Sequence, residues 1–548
     1  MNDLSILTER VGLPMQTFTT KDGATLFLWE NAGADAFETL SDACKKAGYA
    51  LPEENAFGGV RLRKFRLGDT TLFATHSAKD GGLRLIAKEN DIDVQATGMD
   101  GEAICSPLVT QLSLAYFLPD CGMSYVLRLK DGRFVIIDGG YDENETVVHL
   151  WETLEKQNVR GGKPVIAAWF ISHGHEDHFS VVTHFLNDYR DRAVVQNILY
   201  NWAHRLDGVG WFIHFCEALD TVRDTTRIVT PRSGERYCFG GMTFDALFVG
   251  EDLYPAPIPS FNDSSLILRV EAEDKVLLFP GDAEKQSSDF VCGRYDEAVF
   301  RCDLLQVAHH GYYGGSEALY AAAKPEVLFW PCPDYWYPVV KEWGANPALR
   351  AQPNVKAIYI AGRMEKTFDL TKPFDYADDP YKEYESGETI YEERFAEGFR
   401  VAELGWSALT GGRTGYGAPI AIAEDGALRF QSHVDYLDVI CFVQEGLLRK
   451  NPDYTLTVSG TIETAERIAL FYDYTQPTVY DEAFVLPLDL PKGAPFTLTL
   501  RTDSKRKKAF LSICGKKETE LPYREPAGLY LLIKDAKLQL NGVRVVRN

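Results

Sequence analysis

No run of about eighteen apolar residues occurs in the chain, which argues against a transmembrane helix. The opening Met1-Asn2-Asp3-Leu4-Ser5 has neither the basic start nor the apolar stretch of a secretory leader. Cysteine is sparse. Ten are scattered without a CxxC pair or a dense cluster, and Cys105, Cys302, Cys441 and Cys514 sit in apolar runs, as reduced core thiols do. These absences lead us to expect a cytoplasmic protein. Positive charge is also in short supply: Lys and Arg total 57 against 79 Asp and Glu, a formal net charge of −22. A protein that grips DNA or RNA through phosphates needs a basic footprint, so a small-molecule substrate is expected and nucleic acid is disfavoured. The glycine-rich stretches lack a following Lys-Ser or Lys-Thr, so no phosphate-binding loop of the Walker type is present. Nothing indicates a membrane partner, and the oligomeric state is not legible.

The chain has 548 residues, too many for one compact core, so several domains are expected. Residues 1–105 read as a small α+β unit. A strand is expected at 24–30, a helix at 35–47, and half-buried strands with alternating polarity at 60–67, 71–76 and 83–88. Its His76 has no partner of chemical interest and reads as a surface or packing residue. Between 106 and 372 apolar strands alternate with helices and end in polar, glycine-rich corners, which points to an α/β unit with helix-covered sheets. Asp131-Gly132 and 271–274 mark hairpins; 165–171, 304–308 and 326–330 read as buried strands. Residues 373–402, rich in Asp, Glu, Tyr and Pro, read as a linker. From 403 to 548 short strands recur with little helical periodicity, so a C-terminal β-sandwich is expected.

The chemistry concentrates at strand ends. The apolar run 165–171 is followed by Ser172-His173-Gly174-His175-Glu176-Asp177-His178. Residues two apart in an extended segment point the same way, so His173 and His175 can face one metal. Asp177 and His178 can face a second as a helix begins. Three histidines and a carboxylate at this spacing suit zinc, manganese or iron. Phe279-Pro280-Gly281-Asp282 is a second corner, and alone could be an ordinary turn. Val307-Ala308-His309-His310-Gly311-Tyr312-Tyr313 is a third, where two histidines enter a glycine-rich loop. His184, His204 and His214, in or near expected helices, read as structural.

Taken together the three corners resemble the metallo-β-lactamase superfamily, over roughly residues 106–372. The resemblance implies an αββα sandwich with two divalent ions, zinc first, at one edge of the packed sheets. It implies His173, His175, Asp177 and His178 as metal ligands, Asp282 as the bridging carboxylate and the final ligand at His309-His310. Of these two, His310 is favoured as ligand and His309 as substrate-facing. Asp138, in Ile137-Asp138-Gly139-Gly140, is implied as the acidic residue that orients the histidine motif. Where the family often has a third histidine for the first metal, this chain has Asn262. The GD and HHG corners are similar to those of competence DNA-uptake proteins and phosphorylcholine esterases. The implied reaction is metal-assisted hydrolysis, with Asp177, His309 and Asp138 as the catalytic set. Phosphoesters are placed ahead of lactones and other esters, which makes phosphodiesterase activity the expectation. The alternatives are a nuclease of the DNA-uptake type and a binding protein whose metal site Asn262 has degraded. Tyr312, Tyr313, Trp330, Tyr335, Trp336 and Tyr337 crowd the region after the last histidine. They could hold a cation by their ring faces, with Asn262, Tyr312 and Tyr313 as substrate contacts, but packing is the preferred reading of the aromatic group.

Overall fold

The computed structural model describes residues 4–113, 122–141, 146–202, 210–258, 260–333, 336–362, 365–376, 383–395, 406–410, 420–432, 437–442, 448, 451–471, 485–522 and 529–548. The N-terminal part is a six-stranded antiparallel sheet in the order Gln16–Thr19, Thr25–Trp29, Leu83–Glu89, Thr70–Ser77, Val60–Leu67, Ala50–Phe57. Helix Ala34–Lys46 covers one face, burying Phe37, Leu40, Ser41 and Cys44 at helical spacing. The expectation of half-buried strands is corrected for Thr70–Ser77, which is buried at every position. The polar face that it shares with its two neighbouring strands meets the following unit instead of water. Ser77 Oγ donates to the Arg294 carbonyl at 2.7 Å, Arg84 Nη2 donates to the Asp252 carbonyl at 2.6 Å, and Lys64 lies 3.4 Å from Glu235. Alternating polarity marks two unlike faces, and here the polar face found polar partners. His76 is buried, its Nε2 3.0 Å from the Ala32 carbonyl.

Two further sheets lie face to face. The first runs Arg227–Val229, Asn197–Tyr200, Val165–Ile171, Phe134–Ile137, Tyr125–Arg128, Leu108–Gln111, Lys366–Asp369. The second runs Arg236–Phe239, Met242–Phe248, Ile267–Ala272, Lys275–Phe279, Leu304–Gln306, Val327–Trp330, Ala357–Ile360. Leu127, Val135, Ala168 and Phe170 from the first pack with Phe244, Val270, Leu277 and Phe329 from the second. Helices Thr146–Gln157, Glu176–Asp188 and Gly210–Asp220 cover the outer face of the first sheet. Helices Lys285–Arg294 and Glu317–Ala323 cover that of the second. The result is a four-layered αββα sandwich. Val165–Ile171 pairs in parallel with strands on both sides and is buried on both faces, which explains its unbroken apolar sequence.

The C-terminal strands form two antiparallel sheets. One carries Ile420–Glu424, Ala427–Gln431, Lys537–Arg547, Tyr454–Thr464, Pro495–Asp503, Lys508–Ile513 and Thr519–Pro522. The other carries Trp406–Thr410, Leu437–Phe442, Leu529–Lys534, Arg467–Phe471 and Val485–Pro487. Leu456, Val458, Leu498, Leu540 and Val545 meet Leu470, Leu531 and Ile533 in one core, as in a β-sandwich. The linker reading of 373–402 is corrected at two points. Phe374 is buried against Phe368, with ring centroids 4.6 Å apart, and Thr389–Glu393 is a strand paired with Lys537–Arg547. Its acidic composition hid this pairing, because backbone hydrogen bonds to a neighbouring strand leave no trace in side-chain type. Cys302 is a buried thiol as expected, whereas Cys514 is exposed in a turn with φ 50°; the side chain of Cys441 lies outside the described residues.

Candidate metal centre

Four strands of the sandwich end at one edge and deliver the chemistry there. Phe134–Ile137 leads to Asp138, Val165–Ile171 to the histidine motif, Lys275–Phe279 to Asp282, and Leu304–Gln306 to His309-His310. His173 Nε2 and His175 Nδ1 converge to 2.9 Å, as the two-residue spacing predicts. His175 is extended and caps helix Glu176–Asp188, so Asp177 and His178 fall in its first turn, where the helix dipole favours an anionic carboxylate. His178 Nε2 lies 3.2 Å from Asp282 Oδ2 and 3.7 Å from Asp177 Oδ2. His310 Nε2 lies 3.0 Å from Asp177 Oδ2 and 3.4 Å from Asp282 Oδ2. Its Nδ1–H donates to the Pro331 carbonyl at 2.8 Å, which leaves the Nε2 lone pair for the site.

Among the described residues these donors fall into two sets: Asp177, His178, Asp282 and His310, and His173, His175 and Asp282, each with its donor atoms within 4.8 Å of one another. Asp282 belongs to both. Do these residues suit a metal ion? His178 Nε2, His310 Nε2 and Asp282 Oδ1 are buried without a hydrogen-bond partner, and such orphaned polar atoms are costly unless something binds them. Nitrogen and carboxylate oxygen at this spacing fit a divalent first-row ion. Without the ion, protons take its place. Burial opposes charge on His178, but Asp282, Asp177 and Asp138 outweigh it and hold its pKa well above the ordinary imidazole value. His310, also opposed by burial, is pushed up to about 9 by Asp282 and Asp177. Burial would raise Asp282, yet His310, His178 and His309 keep its carboxyl well below the usual range. His173, buried and beside His178, is held well below its ordinary value.

Asp138 stands behind this centre, with φ 56°. Its Oδ1 accepts from the Ser172 N–H at 2.7 Å; its Oδ2 accepts from Ser172 Oγ at 2.9 Å and lies 2.9 Å from His178 Nδ1. A carboxylate on Nδ1 keeps the proton there and the Nε2 lone pair on the metal side. Asp138, which the resemblance implied as the orienting acid, thus lies in contact with His178 of the motif. Residues 120–331 match the metallo-beta-lactamase superfamily. No curated protein matches the chain. Among solved structures, the short form of human tRNase Z is similar at 15% identity, over 40% of this chain and 91% of that one, with a TM-score of 0.25. Peanut lectin is similar at 10% identity, over 29% of this chain and 97% of its own, with a TM-score of 0.20. The carbohydrate binding module CBM66 from Bacillus subtilis is similar at 9% identity, over 26% and 95%, with a TM-score of 0.18.

Within the matched segment, Asn262 stands where the resemblance would place a third histidine. This residue opens the short turn Asn262–Ser264, and its Oδ1 is buried without a hydrogen-bond partner. Its Nδ2 donates to Glu284 Oε1 at 2.9 Å and lies 3.2 Å from His309 Nε2. His309 Nδ1 in turn lies 3.5 Å from Glu284 Oε1, and its Nε2 4.0 Å from Asp282 Oδ2. The two adjacent histidines thus part company: His310 is 2% exposed and inside a donor set, His309 is 22% exposed and outside both. Both have left-handed backbone, φ 53° and 49°, a strained conformation that functional loops tolerate.

Sequence reasoning missed several residues that shape this centre. Ser172 Oγ reaches His173 Nδ1 (3.1 Å) as well as Asp138. Gln306 clamps both backbone groups of Gly281 at 2.9 Å, and Ser265 Oγ accepts from the Asp282 N–H at 3.1 Å. A glutamine inside the apolar run Leu304-Leu305-Gln306-Val307 was the legible signal. Gly281 has φ 58°, and a Cβ there would come within 2.8 Å of Ser172 Cβ, so the corner before Asp282 needs glycine. Of the aromatic group, Trp330, Trp336 and Tyr337 are buried and pack as expected, while Tyr313 is 63% exposed; Tyr335 lies outside the described residues. His184 and His214 occupy exposed helix positions, with His214 3.2 Å from Glu217; His204 lies outside the described residues.

Proposed function

We propose that the protein is a hydrolase with two divalent ions, zinc first and manganese or iron as alternatives, acting on a small-molecule ester and in the first instance a phosphoester. The observation that carries this reading is Asp282, a single buried carboxylate shared by two sets of histidine and carboxylate donors. When bound, such ions supply Lewis acidity and bring the pKa of a water they hold towards neutrality. His173 and His175 would hold the first ion, Asp177, His178 and His310 the second, and Asp282 both. Asp138 fixes the His178 tautomer through its contact with Nδ1. Asp177, about one-fifth exposed, can orient an incoming water. His309, at the open side and tied to Asn262 and Glu284, faces the substrate. Phosphoesters come first because of the GD and HHG corners. We take residues 1–105, 106–372 and 403–548 as separate domains. The buried thiols support a cytoplasmic location, and among the described residues no helix is long and apolar enough to cross a membrane.

The nuclease reading needs basic side chains beside the donors. The charged groups seen beside the centre are acidic, Asp138 on His178 and Glu284 on the neighbouring His309, which supports a small substrate over a polyanion. The binding-protein reading rests on Asn262, which leaves the first set with three donors. Elemental analysis per chain, run with hydrolysis of bis-p-nitrophenyl phosphate, separates them. Two metals with turnover that a chelator abolishes is the expected result. One metal or none, with no turnover after added zinc or manganese, would put the binding-protein reading first.

A further inference from the structure

Among the described residues, the most exposed large hydrophobic side chain lies three residues from a candidate metal ligand. Tyr313 is 63% exposed, yet it is not loose. Its ring stacks on Trp343 with centroids 5.1 Å apart and planes 8° from parallel. Tyr312 lies between this pair and the centre, 5.7 Å from Trp343 and 5.3 Å from His309, ring to ring. The two chain segments involved are pinned together. The buried Asn346 donates from Nδ2 to the Gly311 carbonyl at 2.6 Å and to the Val340 carbonyl at 2.8 Å. Gly311 itself has φ 84°, and a Cβ there would meet Trp330 Nε1 at 2.2 Å, so the histidine loop cannot shift without breaking core packing.

A lone exposed aromatic is ordinary. An exposed ring held parallel to a second ring, on a loop rigidly continuous with His309 and His310, is a preorganised stacking surface. Parallel rings accept a third flat ring at van der Waals distance and gain less from a puckered one.

We infer that the Tyr313–Trp343 stack is the recognition platform of the metal centre and takes a planar aromatic or heteroaromatic ring of the substrate. This rests on the hydrolase reading and narrows it to esters that carry such a ring a short spacer away from the scissile group. The test uses the metal-loaded chain and three unreactive probes, 4-phenylbutylphosphonate, 4-cyclohexylbutylphosphonate and methylphosphonate, titrated by calorimetry, the four-carbon spacer being needed to pass Tyr312. The phenyl probe should bind about tenfold tighter than methylphosphonate, with the cyclohexyl probe nearer to methyl. In Tyr313→Ala the phenyl-to-methyl ratio should fall to within about twofold of one. A phenyl preference that survives the substitution, or equal binding of phenyl and cyclohexyl, overturns the platform. Methylphosphonate has no ring, so loss of its binding on chelation reports on the metal centre alone. If that binding is absent from a chain shown to hold metal, the phosphoester reading and the platform fall together.

Discussion

Replacing Asp138 by Asn tests whether a residue behind the centre governs what the centre binds. The side chain is fully buried and receives the Ser172 N–H, the Ser172 hydroxyl and the His178 Nδ1 contact within 2.9 Å. Asparagine matches its shape, so no cavity forms and the fold should survive. What changes is the proton on His178. A carboxylate can only accept, which keeps hydrogen on Nδ1. An amide can turn its NH2 to Nδ1, which favours hydrogen on Nε2, the atom that faces Asp177 and Asp282. A hydrogen bond to a charged group is worth about 1.5–3 kcal/mol, and 1.4 kcal/mol is about tenfold. Asp138→Asn should therefore weaken metal binding by the set containing His178 by roughly 10–100-fold. The set with His173 and His175 should change less. Competition against a chromophoric chelator measures both, and thermal melting of the metal-free protein checks the fold. A loss under about threefold, with turnover unchanged, would refute the tautomer argument.

Asn262→His offers a fourth donor to the His173 set but removes the contacts with Glu284 and His309, at a cost of about 1 kcal/mol each. Occupancy of the weaker site should rise at limiting metal, and an unchanged stoichiometry would show that Asn262 is not what limits it. Gly311→Ala places a methyl 2.2 Å from Trp330 Nε1 in left-handed backbone. It should cost about 3 kcal/mol, from overpacking and strain together, read as a lower melting temperature; a melt within a degree of the parent would contradict this. In the metal-free protein, His310 is raised to about 9, so its stabilisation is full below roughly pH 6.5 and is lost as pH climbs through 9. Asp282 is held below the usual carboxylate range, so its stabilisation is present above roughly pH 4 and is lost on acidification. Metal-free melting temperature should accordingly fall between pH 6.5 and 9, while the gain on adding metal grows, because metal takes neutral imidazole. A flat metal-free profile over that interval would count against the paired His310.

The sequence by itself determined some of the sheet strands, Val60–Leu67 and Val165–Ile171 among them, and the six-residue histidine motif, but not strands such as Ala50–Phe57 and Met242–Phe248. Both depend on short-range repetition: an unbroken apolar run for a strand buried on both faces, and a two-residue period that aims His173 and His175 together. Asp138 and Asp282 came from the family resemblance, since alone the Gly281-Asp282 corner reads as an ordinary turn. Only tertiary structure decided the rest. Asp138 and His178 are 40 residues apart, and their 2.9 Å contact exists because two strands pair in parallel. His309 and His310 are adjacent and chemically identical, yet with successive left-handed backbone one falls inside a donor set and the other outside both. Asn262 and Glu284 meet across a turn and a helix start, with nothing in either segment to announce it. The polar face of Thr70–Ser77 looked solvated because polarity records what a face can bond, and the neighbouring unit that bonds it comes only with the fold; Thr389–Glu393 is a strand through backbone pairing with Lys537–Arg547, which side-chain type does not record.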